Sequence, residues 1–365
     1  MTGSDNEPPH RYHFLEAAVH SHQIGDLQSA LKGYLRYLKE HPSHAEVLHT
    51  VSGIYYQLDD TASAIKYLAR AAKIDPDNPD YWNDLGGLYL AAEKHADAES
   101  CFREALTRRP RYLQVKNNLG LVLFRSGKID EAIVCFREVI AQEPQFVDAH
   151  YNLGVALQQS GQLELATGAY EAAVRIRPEL AVAHYNLGQS YCRKCDLENA
   201  VKAYEAAIAI DGSEGEVGRL ARERLDEIEA IVEKGGVSLS TYIRNGRIFD
   251  RGFLALQEGR FQAAIDLFAQ VLATQNDHVQ SYGNMGLAYA ILGNRQKALE
   301  CLDKAIELDP GYEPAIVNRL SVQRLKDGEA LPDFDPRELN YYSEFKLRGK
   351  SYVQHLVDEL KAGGK

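Results

Sequence analysis

Small and large apolar residues recur along the chain with a period of 34 residues. In each period a small residue, usually glycine, is followed twelve residues later by alanine and sixteen residues later by a large apolar side chain. Small residues let two helix backbones approach closely, and the large side chain fills the space beside them. Prolines close several units, because proline lacks an N–H and clashes with the preceding helical turn. The pattern therefore predicts a series of helix pairs joined by polar turns.

The pattern repeats eight times, and each of its positions can be followed along the chain. The small residues are Ala18, Ser52, Gly86, Gly120, Gly154, Gly188, Gly252 and Gly286. The alanines are Ala30, Ala64, Ala98, Ala132, Ala166, Ala200, Ala264 and Ala298. The large side chains are Tyr34, Leu68, Phe102, Phe136, Tyr170, Tyr204, Phe268 and Leu302. The closing prolines are Pro42, Pro76, Pro110, Pro144, Pro178 and Pro310.

This pattern resembles the tetratricopeptide repeat family, whose repeat is a helix–turn–helix of 34 residues. The resemblance covers roughly residues 11–328 and implies an all-α, right-handed superhelical solenoid with capping helices. Two departures from the family pattern, Arg251 in place of leucine and Asn276 in place of proline, predict looser packing in the seventh repeat. The residues of the third repeat that match the family pattern are Trp82, Leu85, Gly86, Tyr89, Ala98, Phe102, Ala105 and Pro110.

The period is broken once, because Gly188 and Gly252 lie 64 residues apart. Between them, apolar residues from Val217 to Val232 form one helical stripe opposite a charged face, which predicts a helix that caps six repeats. The prediction for the whole chain is a disordered segment (1–10), six repeats (11–212), a capping helix and linker (213–237), two repeats (238–312), a second capping helix (313–328), and a linker with a last helix (329–365). That last helix is expected either to dock on the repeats or to bind another protein.

Asparagine recurs two residues before the glycine of successive repeats, at Asn118, Asn152 and Asn186, with Asp84 before them and Asn284 in the last repeat. In the middle of a helix each asparagine costs roughly 0.5–0.7 kcal/mol relative to alanine. A helical wheel directs these side chains away from their own helix pair. The family resemblance implies that this face lines the inner surface of the superhelix.

An amide side chain both donates and accepts, so a row of them can bind the backbone of an extended peptide. The row resembles the asparagine ladder in the repeat domain of O-linked N-acetylglucosamine transferase, which implies peptide binding here. Tyrosines would add apolar contacts, and arginines would favour acidic side chains. The alternative is that the asparagines are solvated or bond to the neighbouring helix. The predicted peptide-binding residues are Asp84, Asn117, Asn118, Arg125, Tyr151, Asn152, Gln159, Tyr185, Asn186, Gln189 and Arg193.

Composition limits the other classes of function. A net charge of −11 argues against nucleic acid as a partner, and no stretch is apolar enough to span a membrane. Five cysteines without regular pairing favour the cytoplasm, and we interpret the Cys192–Cys195 pair as structural. Histidines near the N-terminus lack spaced carboxylate partners, so no metal or cofactor is expected.

The sequence predicts a protein-binding adaptor rather than an enzyme, because no catalytic motif is present. Chaperone-binding members of the family that this chain resembles clamp a C-terminal carboxylate with a lysine three residues before the glycine. This chain has His49, Asn83 and Asn117 there, so the clamp is incomplete. Two alternatives stay open. One is a scaffold that self-associates, and the other is a regulatory or substrate-recruiting subunit of a separate enzyme such as a glycosyltransferase.

Overall fold

The structure is a computed structural model, and it describes residues 13–326 and 328–331. These residues form eighteen α-helices, and none of them lies in a strand, which confirms the all-α repeat solenoid. The chain divides into two compact units, Met1–Arg177 and Pro178–Lys365. The expectations for residues 1–10 and for a helix after Leu331 lie outside the described residues.

Each unit is a run of consecutive helices. The first unit contains α1 (His13–Gln23), α2 (Leu27–Glu40), α3 (Ala45–Gln57), α4 (Thr61–Ile74), α5 (Pro79–Ala91), α6 (His95–Arg108), α7 (Leu113–Arg125), α8 (Ile129–Gln142), α9 (Val147–Gln159) and α10 (Leu163–Ile176). The second contains α11 (Ala181–Arg193), α12 (Leu197–Asp211), α13 (Glu216–Lys234), α14 (Leu239–Gln257), α15 (Phe261–Leu272), α16 (Val279–Ile291), α17 (Arg295–Leu308) and α18 (Glu313–Gln323).

The eight predicted helix pairs are α1–α2 through α11–α12, α14–α15 and α16–α17, and three residues connect the two helices of each pair. The middle residue of every such turn has a positive φ, a conformation that glycine adopts without steric cost. Cys195 occupies this position in the sixth repeat with φ 61°. The residues at this position are Gly25, Asp59, Glu93, Gly127, Gly161, Cys195, Gly259 and Gly293.

The core within each pair is built as the repeating pattern predicts. A Cβ atom added at Gly154 would lie 2.6 Å from Cε1 of Tyr170, and one added at Gly120 would lie 2.6 Å from Cε1 of Phe136. Both rings are only 1% exposed. The predicted role of the glycines, close approach to a large side chain of the second helix, is confirmed.

In the second unit, α13 packs against the sixth repeat through its apolar stripe. Leu225 and Ile228 are buried in one cluster with Tyr204 of α12. The next helix, α14, begins directly after a short connection, and the backbone N–H of Thr241 donates to the Ser238 side chain at its start. The helix predicted as a cap therefore lies inside a continuous core that also includes the start of α14.

The seventh repeat, which departs from the family pattern, has an aromatic core. Arg251 is exposed, while Phe249, Leu256 and Phe268 form a buried cluster at the junction of α14 and α15. The ring centroids of Phe249 and Phe268 are 5.4 Å apart. An aromatic side chain two residues before the arginine is therefore part of the core of this repeat.

Candidate functional site: the polar face of the first helices

In the first unit, polar side chains connect the first helices of four consecutive pairs, α3, α5, α7 and α9. In the first unit, Nδ2 of Asn118 lies 3.4 Å from Oδ1 of Asn83, and Nδ2 of Asn152 lies 3.2 Å from Oδ1 of Asn117. Both bonds join residues that are 35 positions apart, one more than the repeat. Side chains at two adjacent positions of the repeat therefore connect α5 to α7 and α7 to α9.

The link between α3 and α5 joins an imidazole to a carboxylate. Nε2 of His49 lies 2.7 Å from Oδ2 of Asp84, and the other oxygen of Asp84 accepts a hydrogen bond from Nδ2 of Asn83 at 3.0 Å. Because Asn83 also accepts from Asn118, the α3–α5 link and the α5–α7 link form one hydrogen-bonded network that begins at His49. The carboxylate of Asp84 accepts from both sides of this network.

These contacts show that the asparagines bond to the neighbouring helix, which was the alternative interpretation of the pattern. Asn117 is only 4% exposed, and its amide oxygen accepts the bond from Asn152 of the adjacent α9. The prediction that Asn117 binds a peptide is therefore corrected. Asn118 and Asn152 are half-buried. An amide side chain can make four hydrogen bonds. Asn152 uses one of them on the preceding first helix, and Asn118 uses one on the preceding first helix and one from Gln114, so both residues keep capacity for a ligand.

The remaining predicted residues of the first unit differ in exposure. Arg125 and Gln159 are exposed near the ends of α7 and α9. Tyr151 is half-buried, and its ring centroid lies 6.1 Å from that of Tyr170 in the core. The tyrosine therefore presents only part of its ring on the polar face.

The second unit carries the other four predicted residues on α11. Tyr185 is half-buried, and its hydroxyl oxygen accepts a hydrogen bond from Nε2 of Gln189 at 2.9 Å. Asn186 is half-buried and Arg193 is exposed. These four residues share one helix.

Asn284, the last member of the asparagine series, does not lie on an open face. It is 1% exposed on α16, and its Oδ1 atom has no hydrogen-bond partner among the described residues. The expectation that it resembles the asparagines of the first unit is therefore wrong. Burial of an amide oxygen without a hydrogen-bond partner costs free energy.

A pocket of about 370 Å³ opens on the polar face of the first unit, between α3, α5 and α7. Sequence reasoning missed most of it, because the predicted site began at Asp84 and extended toward the C-terminus. The sequence feature that could have indicated the pocket is the pair Gly53 and Gly87, which are mid-helix glycines in the same position of consecutive repeats. The lining residues are His49, Ser52, Gly53, Tyr56, Leu68, Asn83, Asp84, Gly87, Leu88 and Asn118.

The cysteines do not form a reactive or metal-binding centre. None of the five, all within the described part of the chain, forms a disulfide. Burial raises the pKa of Cys192 to about 11 and that of Cys101 to about 12, so both thiols are protonated and weakly nucleophilic near neutral pH. Cys195 provides the turn of its repeat, which agrees with a structural interpretation of the pair.

Within 13–326 and 328–331, no three histidine, cysteine or acidic side chains are grouped so that they could hold a metal ion. Of the helices described, none is both long and apolar enough to cross a bilayer.

The regular helix pairs and the linked first helices define the class of the protein, a helical repeat solenoid. Models described as tetratricopeptide repeat match residues 23–79, 53–112, 83–133, 147–180, 181–213 and 279–312, and a TPR repeat model matches 120–161. Together they cover more than half of the chain, which therefore belongs to the tetratricopeptide repeat family. Repeats of this kind form extended surfaces that bind other proteins.

Several solved structures are similar to this chain. PilW, a type IV pilus biogenesis factor, is 19% identical with a TM-score of 0.50, and the match covers 59% of this chain and 99% of PilW. MamA from Desulfovibrio magneticus RS-1 is 24% identical with a TM-score of 0.44, covering 47% of this chain and 96% of MamA. YrrB, a TPR protein with an unusual peptide-binding site, is 20% identical with a TM-score of 0.42, covering 52% and 97%. At these identities the similarity concerns the fold, and no curated protein matches the sequence.

The hydrogen bond between Asn117 and Asn152 can be tested with a double-mutant cycle. We expect Asn117→Ala and Asn152→Ala to show a coupling free energy of about 0.5–1.5 kcal/mol in urea unfolding, because the two amides bond directly. Asn118→Ala combined with Asn152→Ala is the control, since Asn118 bonds to Asn83 instead. Equal coupling in the two cycles would contradict a specific link between Asn117 and Asn152.

Proposed function

We propose that the protein is a protein-interaction scaffold that holds an extended segment of a partner on the polar face of the first helices. In the first unit this face comprises the half-buried Asn118 and Asn152, part of the Tyr151 ring, and the pocket that includes Asp84. The observation that carries the proposal is that Asn118 and Asn152 remain partly exposed while each is fixed by a bond to the first helix of the preceding pair.

A fixed amide suits the recognition of a peptide backbone. Because the neighbouring helix already orients Asn118 and Asn152, little side-chain freedom is lost when they bind a ligand. Their spare N–H and C=O groups can pair with the N–H and C=O groups of an extended chain, which contributes affinity without reading side chains.

The second unit presents the same kind of surface on α11. Asn186 and Tyr185 stand at the positions that Asn152 and Tyr151 occupy in α9, with Gln189 and the exposed Arg193 further along the helix. We propose that this unit contacts the partner through these four residues.

Peptide arrays of 12-residue segments, probed with the purified full chain, test the proposal. We expect the wild type to bind a subset of extended peptides, and the double variant Asn118→Ala with Asn152→Ala to bind them about tenfold more weakly, because two hydrogen bonds to the ligand are lost. The matched control is the double variant Ser100→Ala with Val134→Ala, which changes two exposed residues on the second helices α6 and α8. This control should bind as the wild type does.

Two results would overturn the proposal. One is a wild-type chain that binds no peptide on the arrays, and the other is a double asparagine variant that binds as tightly as the wild type. Light scattering addresses the alternative of a self-associating scaffold. A mass that rises with concentration in the wild type, but not in the asparagine variant, would show that the face binds a second copy of the chain.

A further inference from the structure

Two glycines of the pocket lack any structural reason to be glycine. Gly53 and Gly87 lie inside α3 and α5, and a Cβ atom added at either position would meet nothing within 4 Å. Neither has a positive φ. Glycine in a helix interior costs about 1 kcal/mol relative to alanine, so both residues reduce stability without improving the packing. The following repeats carry Leu121 and Val155 at this position.

The missing side chains determine the shape of the pocket. Without Cβ atoms at Gly53 and Gly87, the helix backbones form an open floor between α3 and α5. The buried side chains of Leu68 and Leu88 contribute apolar atoms to the lining, and Tyr56 stands at the pocket with half of its surface exposed. A flat aromatic side chain that is exposed beside an open floor can stack on a planar group of a ligand.

The polar part of the pocket is rich in hydrogen-bond acceptors. Asp84 has a side chain that is 42% exposed, and each of its oxygens accepts one bond from a neighbour, which leaves one acceptor site on each oxygen. Asn83 and Asn118 lie in the same lining, and the amide oxygen of each accepts one bond, from Asn118 and Gln114 respectively, and has a second acceptor site. Among the described residues that line the pocket, none is lysine or arginine. The basic side chain of the pocket that contacts the carboxylate is His49, whose Nε2 lies 2.7 Å from Oδ2, and this contact leaves Oδ1 and part of Oδ2 able to accept from a ligand.

We propose that this pocket anchors an arginine side chain of the bound partner segment. The guanidinium would donate to Asp84 and to the neighbouring amide oxygens, with its flat face against the ring of Tyr56. Several acceptors around one planar, five-donor group favour arginine over lysine, whose ammonium is a point charge. The backbone of the segment would pass over Gly53 and Gly87, and the net charge of −11 would attract a basic segment at long range. The inference rests on the proposed function and specifies the chemistry of the partner.

The experiment uses the full chain and three nine-residue peptides, acetylated and amidated, that differ only in the central residue. The flanking residues are serine, glycine and alanine, and the central residue is arginine, its neutral analogue citrulline, or glutamate. Affinity is measured by fluorescence anisotropy and the site by TROSY NMR. We expect the arginine peptide to bind about tenfold more tightly than the citrulline peptide, and the glutamate peptide to bind most weakly. The arginine peptide should shift the amide signals of Gly53 and Gly87.

Three variants test whether the preference for the arginine peptide arises in this pocket. Asp84→Asn keeps the size of the side chain but removes its charge, so it should abolish the preference for arginine over citrulline. Gly87→Ala should raise the thermal stability and weaken binding of the arginine peptide, because the new methyl group occupies the floor. Gly168→Ala is the matched control, since Gly168 is also an exposed mid-helix glycine with open space around it, but it lies on α10 away from the pocket. It should keep the preference.

The outcomes separate this inference from the proposed function. If all three peptides bind equally and binding depends on Asn118 and Asn152, the scaffold proposal stands and the arginine anchor is wrong. If the arginine peptide is preferred but Asp84→Asn and Gly87→Ala leave that preference unchanged, the anchor is also wrong. If none of the peptides, including those on the arrays, binds the wild type, both proposals fail.

Discussion

Replacing Phe136 with alanine should lower the free energy of unfolding of the first unit by about 3–5 kcal/mol. The ring is 1% exposed and packs directly over the backbone of Gly120, where an added Cβ atom would come within 2.6 Å of it. Because glycine offers no side chain to fill the space, removal of the ring leaves a cavity that the two helices can close only by moving together. Urea unfolding followed by circular dichroism measures the loss.

The control for this prediction is Val134→Ala on the same helix. Val134 is 54% exposed, so its truncation should change the free energy of unfolding by less than about 0.5 kcal/mol. Hydrogen exchange provides a local readout, because Phe136→Ala should increase exchange in α7 and α8 above all. Similar losses for Phe136→Ala and Val134→Ala would contradict the burial of the ring.

Replacing Ile228 with alanine should destabilise the second unit by about 2–4 kcal/mol. Ile228 is completely buried on α13, in the cluster that contains Tyr204 of α12 and Leu239 at the start of α14. If α13 is an integral part of the core, truncation of Ile228 should increase hydrogen exchange in α12 and at the start of α14 as well as in α13 itself.

The adjacent Glu229 offers the matched control. Its side chain is exposed, and Glu229→Ala should change the stability by no more than about 0.5 kcal/mol. A helix that merely connects two arrays would respond alike to both substitutions. Exchange confined to α13 in the Ile228→Ala variant would show that the flanking repeats fold without it.

The repeating fold could be predicted from the sequence because its determinants lie within single repeats. The spacing of Gly120, Ala132 and Phe136 specifies how two helices of one pair meet, and the same spacing recurs in every repeat. Each repeat is therefore independent evidence for the same geometry. Gly127 similarly marks a turn that needs a positive φ, which the structure shows at 79°.

The candidate site was less predictable, because its geometry depends on distances between repeats. A helical wheel gives the direction of a side chain about its own axis, but it does not give the distance to the next helix. Asn117 was thus predicted to bind a peptide, while the structure shows it buried and bonded to Asn152 of the neighbouring α9. Asn284 fits the same sequence pattern as Asn118 and yet is buried. The pocket depends on the lack of side chains at Gly53 and Gly87. A pattern of apolar residues does not reveal positions where a side chain is missing.

The one-residue offset of the links between first helices has a consequence for evolution and design. Each bond takes its two halves from different positions of consecutive repeats, as in His49 with Asp84 and Asn83 with Asn118. If the third and fourth repeats exchanged places, His49 would face an amide instead of a carboxylate, although both repeats have the same fold. Neighbouring repeats are therefore matched to each other, and shuffling or duplicating a single repeat disturbs two junctions at once. Modules for recombination should accordingly be chosen as pairs that preserve these contacts.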